Sequence, residues 1–205
     1  MYRLIALLIG YALGMFQTAY FVGKMSGIDI REHGSKNAGF TNTNRVLGRK
    51  AGIIVFVTDI LKTVIAFTAA SLIFSGGGTF FQASPGFVLP GLYAGLGSVL
   101  GHVFPFYLKF KGGKGISCTL GLILMLNPFV ALISFGIGVV AVLLFRYISL
   151  ASLLITLVTP FLMFIFGYEI EAVTITAAIA GLAWFLHRGN IKRLLKGEER
   201  KFSLR

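Results

Sequence analysis

Residues 115–145 read GISCTLGLILMLNPFVALISFGIGVVAVLLF, and how that run is divided decides the fold. It contains no charged residue, and as one helix it would be about 45 Å long, well beyond the roughly 30 Å hydrocarbon core of a bilayer. Asn127-Pro128 sits in its middle. Proline starts helices well and interrupts them badly. The run therefore divides into a short helix over Gly115–Leu126 and a longer one over Pro128–Phe145.

Outside this stretch, five further apolar runs are long enough to be spans: Leu4–Val22, Gly52–Phe74, Phe87–Phe106, Ser149–Phe166 and Ile170–Leu186. The expectation is an all-α polytopic membrane protein with about seven transmembrane helices, folded as a single transmembrane domain over residues 1–205. Composition agrees: 56% of the 205 residues are hydrophobic, 13% are charged and the mean hydropathy is +0.86. A soluble domain carries about a quarter charged residues. Leu4–Val22 exceeds the roughly 7–15 apolar residues of a signal-peptide core and lacks a small-residue cleavage site, so it reads as a retained helix. The single cysteine, Cys118, rules out an intrachain disulfide. It reads as a small packing residue.

The charges test the division. Of 19 Lys and Arg, six fall in loop 23–51 (Lys24, Arg31, Lys36, Arg45, Arg49 and Lys50). Three fall in loop 107–114 (Lys109, Lys111 and Lys114), one at Arg146, and seven in the tail after Leu186. Loop 75–86, the Asn127 turn and loop 167–169 carry none. Basic and non-basic loops alternate, provided residues 115–145 form two helices. The positive-inside rule then places the N-terminus outside and the C-terminus in the cytoplasm. A net charge of +12 concentrated in cytoplasmic loops suits anionic lipid or a phosphorylated substrate. No soluble basic domain is present to hold nucleic acid.

Three cytoplasmic segments carry candidate chemistry. The first, Gly34-Ser-Lys-Asn-Ala-Gly-Phe-Thr-Asn42 followed by Arg45, gathers hydroxyl, amide and guanidinium donors suited to an oxyanion. Taken alone it could equally be a polar loop whose Ser and Asn cap a helix. The second runs from Gly101-His-Val-Phe-Pro105 to Lys109-Phe-Lys-Gly-Gly-Lys-Gly115. Glycines leading into a helix expose amides and the positive end of its dipole, a phosphate-binding geometry; contact with lipid headgroups is the plainer alternative. Gly115 stands where a Walker A loop needs Ser or Thr, which disfavours a nucleotide triphosphatase. The third, His187-Arg-Gly-Asn-Ile-Lys-Arg193, leaves the last helix. Its basic residues are ordinary snorkelling anchors, but its His and Asn are not.

Asp59 and Lys62 lie three apart on one helical face, either as a neutralising pair or as support behind the site. His102 reads as a hydrogen-bonded structural residue. The chain lacks zinc-ligand spacings, a Gly-x-Ser-x-Gly elbow and the His-x-x-x-x-Asp pattern of one acyltransferase class. A transporter for a small phosphorylated anion would explain the basic loops, but would be expected to show internal symmetry and charged mid-membrane helices. A lipid-binding scaffold would not need the Ser/Asn/Thr-rich loop.

Together, the three segments in this order resemble those of the bacterial acyl-phosphate:glycerol-3-phosphate acyltransferases, and the resemblance covers nearly the whole chain. It implies an enzyme of the bacterial cytoplasmic membrane with its active site on the cytoplasmic face. Such an enzyme transfers an acyl chain from acyl phosphate to the 1-hydroxyl of glycerol 3-phosphate, releasing lysophosphatidic acid and inorganic phosphate, the opening step of phospholipid synthesis. No metal and no cofactor are implied; the partners are the two substrates and membrane lipid. The resemblance carries catalytic roles to Ser35, Arg45, Lys114, His187 and Asn190. It carries substrate binding to Asn37, Thr41, Asn42, Lys109, Gly112, Gly113, Gly115 and Arg188. The general base stays open between His187 and a substrate phosphate.

Overall fold

The computed structural model describes residues 1–74 and 85–202, with side chains described outside 85–87. Most of the loop expected at 75–86, with its Gly76–Gly78 run, and Arg205 of the tail lie outside the described residues. The described chain is all-helical: α1 (Tyr2–Gly14), α2 (Thr18–Met25), α3 (Phe40–Leu47), α4 (Arg49–Phe74), α5 (Pro85–Val103), α6 (Ile116–Leu126), α7 (Pro128–Phe145), α8 (Ile148–Ile165), α9 (Ile170–Leu186) and α10 (Arg188–Leu195). Single 3₁₀ turns sit at Ile30–Glu32 and Phe106–Leu108. The chain forms two compact units, Met1–Leu126 and Asn127–Arg205.

The division of residues 115–145 falls where Asn127-Pro128 put it. The Asn127 side chain accepts from the amides of Phe129 (2.9 Å) and Val130 (3.2 Å), and Pro128 takes the first helical position, where its missing N–H costs nothing. Among the described residues, five spans are long and apolar enough to cross a membrane, with Tyr2–Met25 (α1 and α2 together) counted as one, and six if α9 and α10, bent by 61°, count as one span. The 11-residue α6 is about 16 Å long, half a bilayer core. The large apolar residues left on the surface, such as Leu132 and Leu144 (each 69% exposed) and Phe164 (68%), are those of a protein solvated by lipid.

The first run is corrected in one respect. The expected helix over Leu4–Val22 is broken at residues 15–17 into α1 and α2. A break inside a bilayer frees carbonyls that must be satisfied by protein. Here the Tyr107 hydroxyl donates to Met15 O (2.7 Å) and the Lys62 ammonium to Phe16 O (2.8 Å), while the fully buried Gln17 donates through Nε2 to His102 O (2.8 Å).

In the first unit α5 packs against α1, α4 and α6, and α4 also packs against α6 and α1. The α1–α5 contact is backbone against backbone. A Cβ on Gly10 or Gly14 would run into the carbonyls of Ala94 or Ser98; one on Gly97 or Gly101 would run into those of Leu7 or Tyr11. Lipid tails are as apolar as side chains, so helices in a bilayer associate through this close packing of small residues. Ala6, Ala66, Ala70 and Ala94 fill the space beside it. In the second unit α8 packs against both α7 and α9.

Because α5 leaves no room at its glycines, Gly97→Leu is expected to abolish recovery of folded protein, or to lower its melting temperature in detergent by more than about 5 °C. Gly136→Ala, at a glycine with open space around it, should melt within about 2 °C of the parent.

Candidate active site

The first loop is built on Asn42. Its side chain is fully buried; Oδ1 accepts from the Ser35 amide (2.7 Å), and Nδ2 donates to the carbonyls of Ile30 and His33 (3.0 Å each). The substrate-binding role expected of Asn42 is therefore corrected, since its polar atoms are spent on folding the loop. What Asn42 holds out is Ser35, whose amide is tied down and whose side chain is exposed. Helix α3 starts behind Gly39, with Asn37 and Thr41 half-buried at its N-terminus and Arg45 exposed one turn further on. The start of that helix offers first-turn amides and a positive dipole end to an anion.

The loop is also strapped from the side. The Arg31 guanidinium pairs with Asp29 (2.7 Å), lies 5.0 Å from the Tyr20 ring centre and donates to Leu108 O in the second loop (3.4 Å). The Arg31 hydrogen bond outweighs burial and holds the Asp29 carboxyl down at about 2, so this strap stays charged across the physiological range.

The second loop folds back onto the end of α5. Lys109 (φ 55°) and Phe110 (φ 59°) turn the chain through left-handed conformations, and Phe110 N donates to Pro105 O (3.0 Å). Gly112 N then donates to Val103 O (3.0 Å) and Gly113 N to His102 O (3.1 Å), closing the last carbonyls of α5. The expectation that these two amides cradle phosphate is corrected, because both are used as a helix C-cap. Their lack of side chains matters for another reason. A Cβ on Gly112 would strike His102 O, and one on Gly113 would strike the His102 ring and come within 2.6 Å of Ala38 O in the first loop. Gly115, at φ +78°, turns the chain into α6, and its carbonyl accepts from the Thr119 amide and hydroxyl (2.8 and 2.9 Å). The chain then enters the first turn of α6, a helix start whose amides have no acceptor within the helix, with half-buried Lys114 just before it and exposed Lys109 at the bend.

Beneath the two loops lies a buried charged group. Lys62 Nζ is 2.8 Å from Asp59 Oδ1 and 2.9 Å from His102 Nδ1, and His102 Nδ1 is 3.5 Å from the same carboxylate oxygen. His102 is the buried, hydrogen-bonded residue expected, and the intramembrane charges pair as their spacing suggested. Asp59, His102 and Cys118 bring three potential metal-ligand atoms within 4.8 Å of one another. The ammonium already sits against two of them and compensates the carboxylate charge.

The third segment belongs to the second unit. His187 is 4% exposed, and its Nδ1 meets Ala183 O at 2.7 Å. A carbonyl can only accept, so Nδ1 carries a proton; when the ring is neutral its lone pair lies on Nε2. The Asn190 amide donates to Glu199 Oε1 (2.7 Å), which also accepts from the Ser149 hydroxyl (3.0 Å), while Arg193 Nε donates to Oε2 (2.7 Å). Asn190 is thus oriented by a carboxylate that the sequence alone did not single out; the only hint was the Glu198-Glu199 pair in an otherwise basic tail. Arg188 is exposed, stacked 4.4 Å from the Phe185 ring centre, and donates to Phe185 O.

Residues 4–197 match the family described as glycerol-3-phosphate acyltransferase. The glycerol-3-phosphate acyltransferase of Alkaliphilus metalliredigens is 41% identical over 98% of this chain and 96% of its own length. That of Aquifex aeolicus is 37% identical over 98% and 100%. Among solved structures, PlsY, described as an integral membrane glycerol 3-phosphate acyltransferase in its glycerol 3-phosphate form, superposes with a TM-score of 0.86 at 36% identity, covering 98% of this chain and 96% of that one. The lysophosphatidic acid form of that protein gives a TM-score of 0.84.

Burial pushes the Glu199 carboxyl up, but hydrogen bonds from Asn190, Arg193 and Ser149 outweigh it and hold the group below its ordinary value. A depressed carboxyl contributes stability above the ordinary carboxylate range and loses it as pH falls through its folded value. Glu199→Gln should therefore melt roughly 2–6 °C below the parent at pH 7, and the gap should close only in acid. Paired melting curves across pH in one detergent check this.

Proposed function

This chain belongs to the glycerol-3-phosphate acyltransferase family, and on that premise we propose that it transfers an acyl chain from acyl phosphate to the 1-hydroxyl of glycerol 3-phosphate. The products are lysophosphatidic acid and inorganic phosphate, and the reaction opens phospholipid synthesis. The observation that carries the proposal is the juxtaposition of the Ser35–Arg45 and Lys109–Gly115 loops at the ends of apolar helices, bridged by Arg31 to Leu108. A phosphate held there leaves an attached acyl chain beside the helices.

Acyl phosphate is a mixed anhydride. The glycerol hydroxyl oxygen attacks the acyl carbon, the new ester C–O bond forms, and the C–O bond to phosphate breaks with its electron pair leaving on phosphate. With so good a leaving group, positioning and charge stabilisation supply most of the acceleration. Ser35, Arg45 and Lys114, with the first-turn amides of α6, hold one phosphate; Asn37, Thr41 and Lys109 add donors around it. Gly112, Gly113 and Gly115 shape the loop. His187, Arg188 and Asn190 serve the other phosphate or the glycerol hydroxyl. The proton of that hydroxyl passes to His187 or to a substrate phosphate and ends on the phosphate released. A lone pair on His187 Nε2 suits the first route, and a phosphate second pKa near neutrality suits the other.

The proposal includes seven crossings, with α6 as a short one, so that the chain works as a single transmembrane acyltransferase domain. The N-terminus lies outside and the loops that carry Ser35 and Lys114 face the cytoplasm of a bacterial inner membrane. Its support is the alternation of basic and non-basic loops. A thin α6 suits a bundle whose reactive loops dip toward the acyl chains.

Purified protein given palmitoyl phosphate should release inorganic phosphate only when glycerol 3-phosphate is added, with no metal supplied. Ser35→Ala and Lys114→Ala should each lower kcat/KM by about 100-fold or more. His187→Ala should fall by roughly 10²–10⁴ if its imidazole is the base; retention of more than about a tenth of kcat assigns the proton to substrate phosphate. Folded protein that releases no phosphate would reject the reaction.

A further inference from the structure

The acyl-transfer reading leaves Asp59, Lys62 and His102 without a task, although these buried groups touch every element that carries the second loop. We infer that His102, clamped by Lys62 and Asp59, is a positioning residue that sets the Gly112–Gly115 loop, and with it Lys114 and the start of α6, against a bound phosphate. The inference rests on the phosphate-binding role proposed for that loop.

His102 stands at the end of α5, and its carbonyl and its ring Nδ1 are both engaged. Its carbonyl accepts from Gly113 N (3.1 Å) and from Gln17 Nε2 (2.8 Å). Its ring Nδ1 faces the Lys62 ammonium at 2.9 Å; an ammonium only donates, so the ring nitrogen accepts. The other side of the ring is the floor under Gly113, where a Cβ would strike Nε2. Cys118, in the first turn of α6, lies in the same cluster. The ring's position is in turn set from two sides, because the ammonium is held by Asp59 on α4 and by Phe16 O in the break between α1 and α2.

All three side chains are sealed from solvent, with Asp59 1%, Lys62 6% and His102 4% exposed. They act on a substrate only through the loop. The loop holds one phosphate and does not form or break the ester bond, so disturbing its floor weakens ground-state and transition-state binding together. The signature is a raised KM for one phosphorylated substrate, with the other KM and kcat nearly unchanged.

The test varies palmitoyl phosphate and glycerol 3-phosphate independently on purified full-length protein. Breaking a buried pair strands a charge, whereas replacing both members is often tolerated. The main variant is therefore the double Asp59→Asn/Lys62→Met, with His102→Ala and His102→Asn beside it. Asn keeps an acceptor near the Nδ1 position. Expected for the double variant and His102→Ala is a rise of about tenfold or more in one KM, with the other KM and kcat within about threefold. His102→Asn should recover part of the loss. If the double variant fails to fold, the two His102 variants decide. A folded variant with both KM values unchanged, or with both raised equally, overturns the inference. If the parent shows no glycerol 3-phosphate-dependent release, the reaction proposed above fails and positioning is read by inorganic phosphate alone. Phosphate should then raise the melting temperature of the parent and not of the double variant; equal stabilisation of both overturns the inference.

Discussion

A lysine ammonium inside an apolar bundle must be surrounded by acceptors, or desolvation drives it out or neutralises it. Lys62 meets this demand with a carboxylate one turn away on its own helix, a ring nitrogen at the end of α5 and the carbonyl of Phe16. Each acceptor comes from a different local structure, so satisfying one charge brings them together. The break in the first apolar run becomes tolerable because Lys62 and Tyr107 take up the carbonyls it frees. The end of α5 becomes a fixed platform, and the second loop caps that platform through Gly112 and Gly113.

The bilayer sets the remaining terms. With lipid outside, burial of apolar surface does little to hold one helix against another, and close backbone packing takes over. Gly10, Gly14, Gly97 and Gly101 let α1 and α5 touch along their length, which puts the end of α5 and the break after α1 at the same level. Polar chemistry then collects where the chain leaves the apolar layer. Ser35, Lys109 and Lys114 sit on loops at helix ends and Arg45 on the short α3, where polar donors cost little.

Helix limits were legible because they rest on local rules. Asn127-Pro128 separates α6 from α7 by capping and by proline sterics, whatever surrounds it. The three candidate segments stand out in the sequence too, since Asn and Lys gather there in an otherwise apolar chain. The failures share one cause. Asn42 and the amides of Gly112 and Gly113 look like anion donors in sequence, but a donor serves the ligand or the chain, and which it serves depends on acceptors far along the sequence. Glu199 went unnoticed because its importance lies in meeting Ser149, fifty residues earlier. The break at residues 15–17 has no proline to announce it; Gln17 is drawn out of the helix toward His102, 85 residues away.

By itself, then, the sequence determined an all-helical membrane protein, the approximate limits of most of its long helices, and which loops gather polar and basic groups. Apolar length, capping and charge alternation are read within one or two helical turns. Tertiary structure decided which of those groups remain for a ligand, how the first and second loops meet, and what buried charge supports them. Hydrogen-bond partners in a low-dielectric interior are chosen across the whole first unit, and no local pattern encodes that choice.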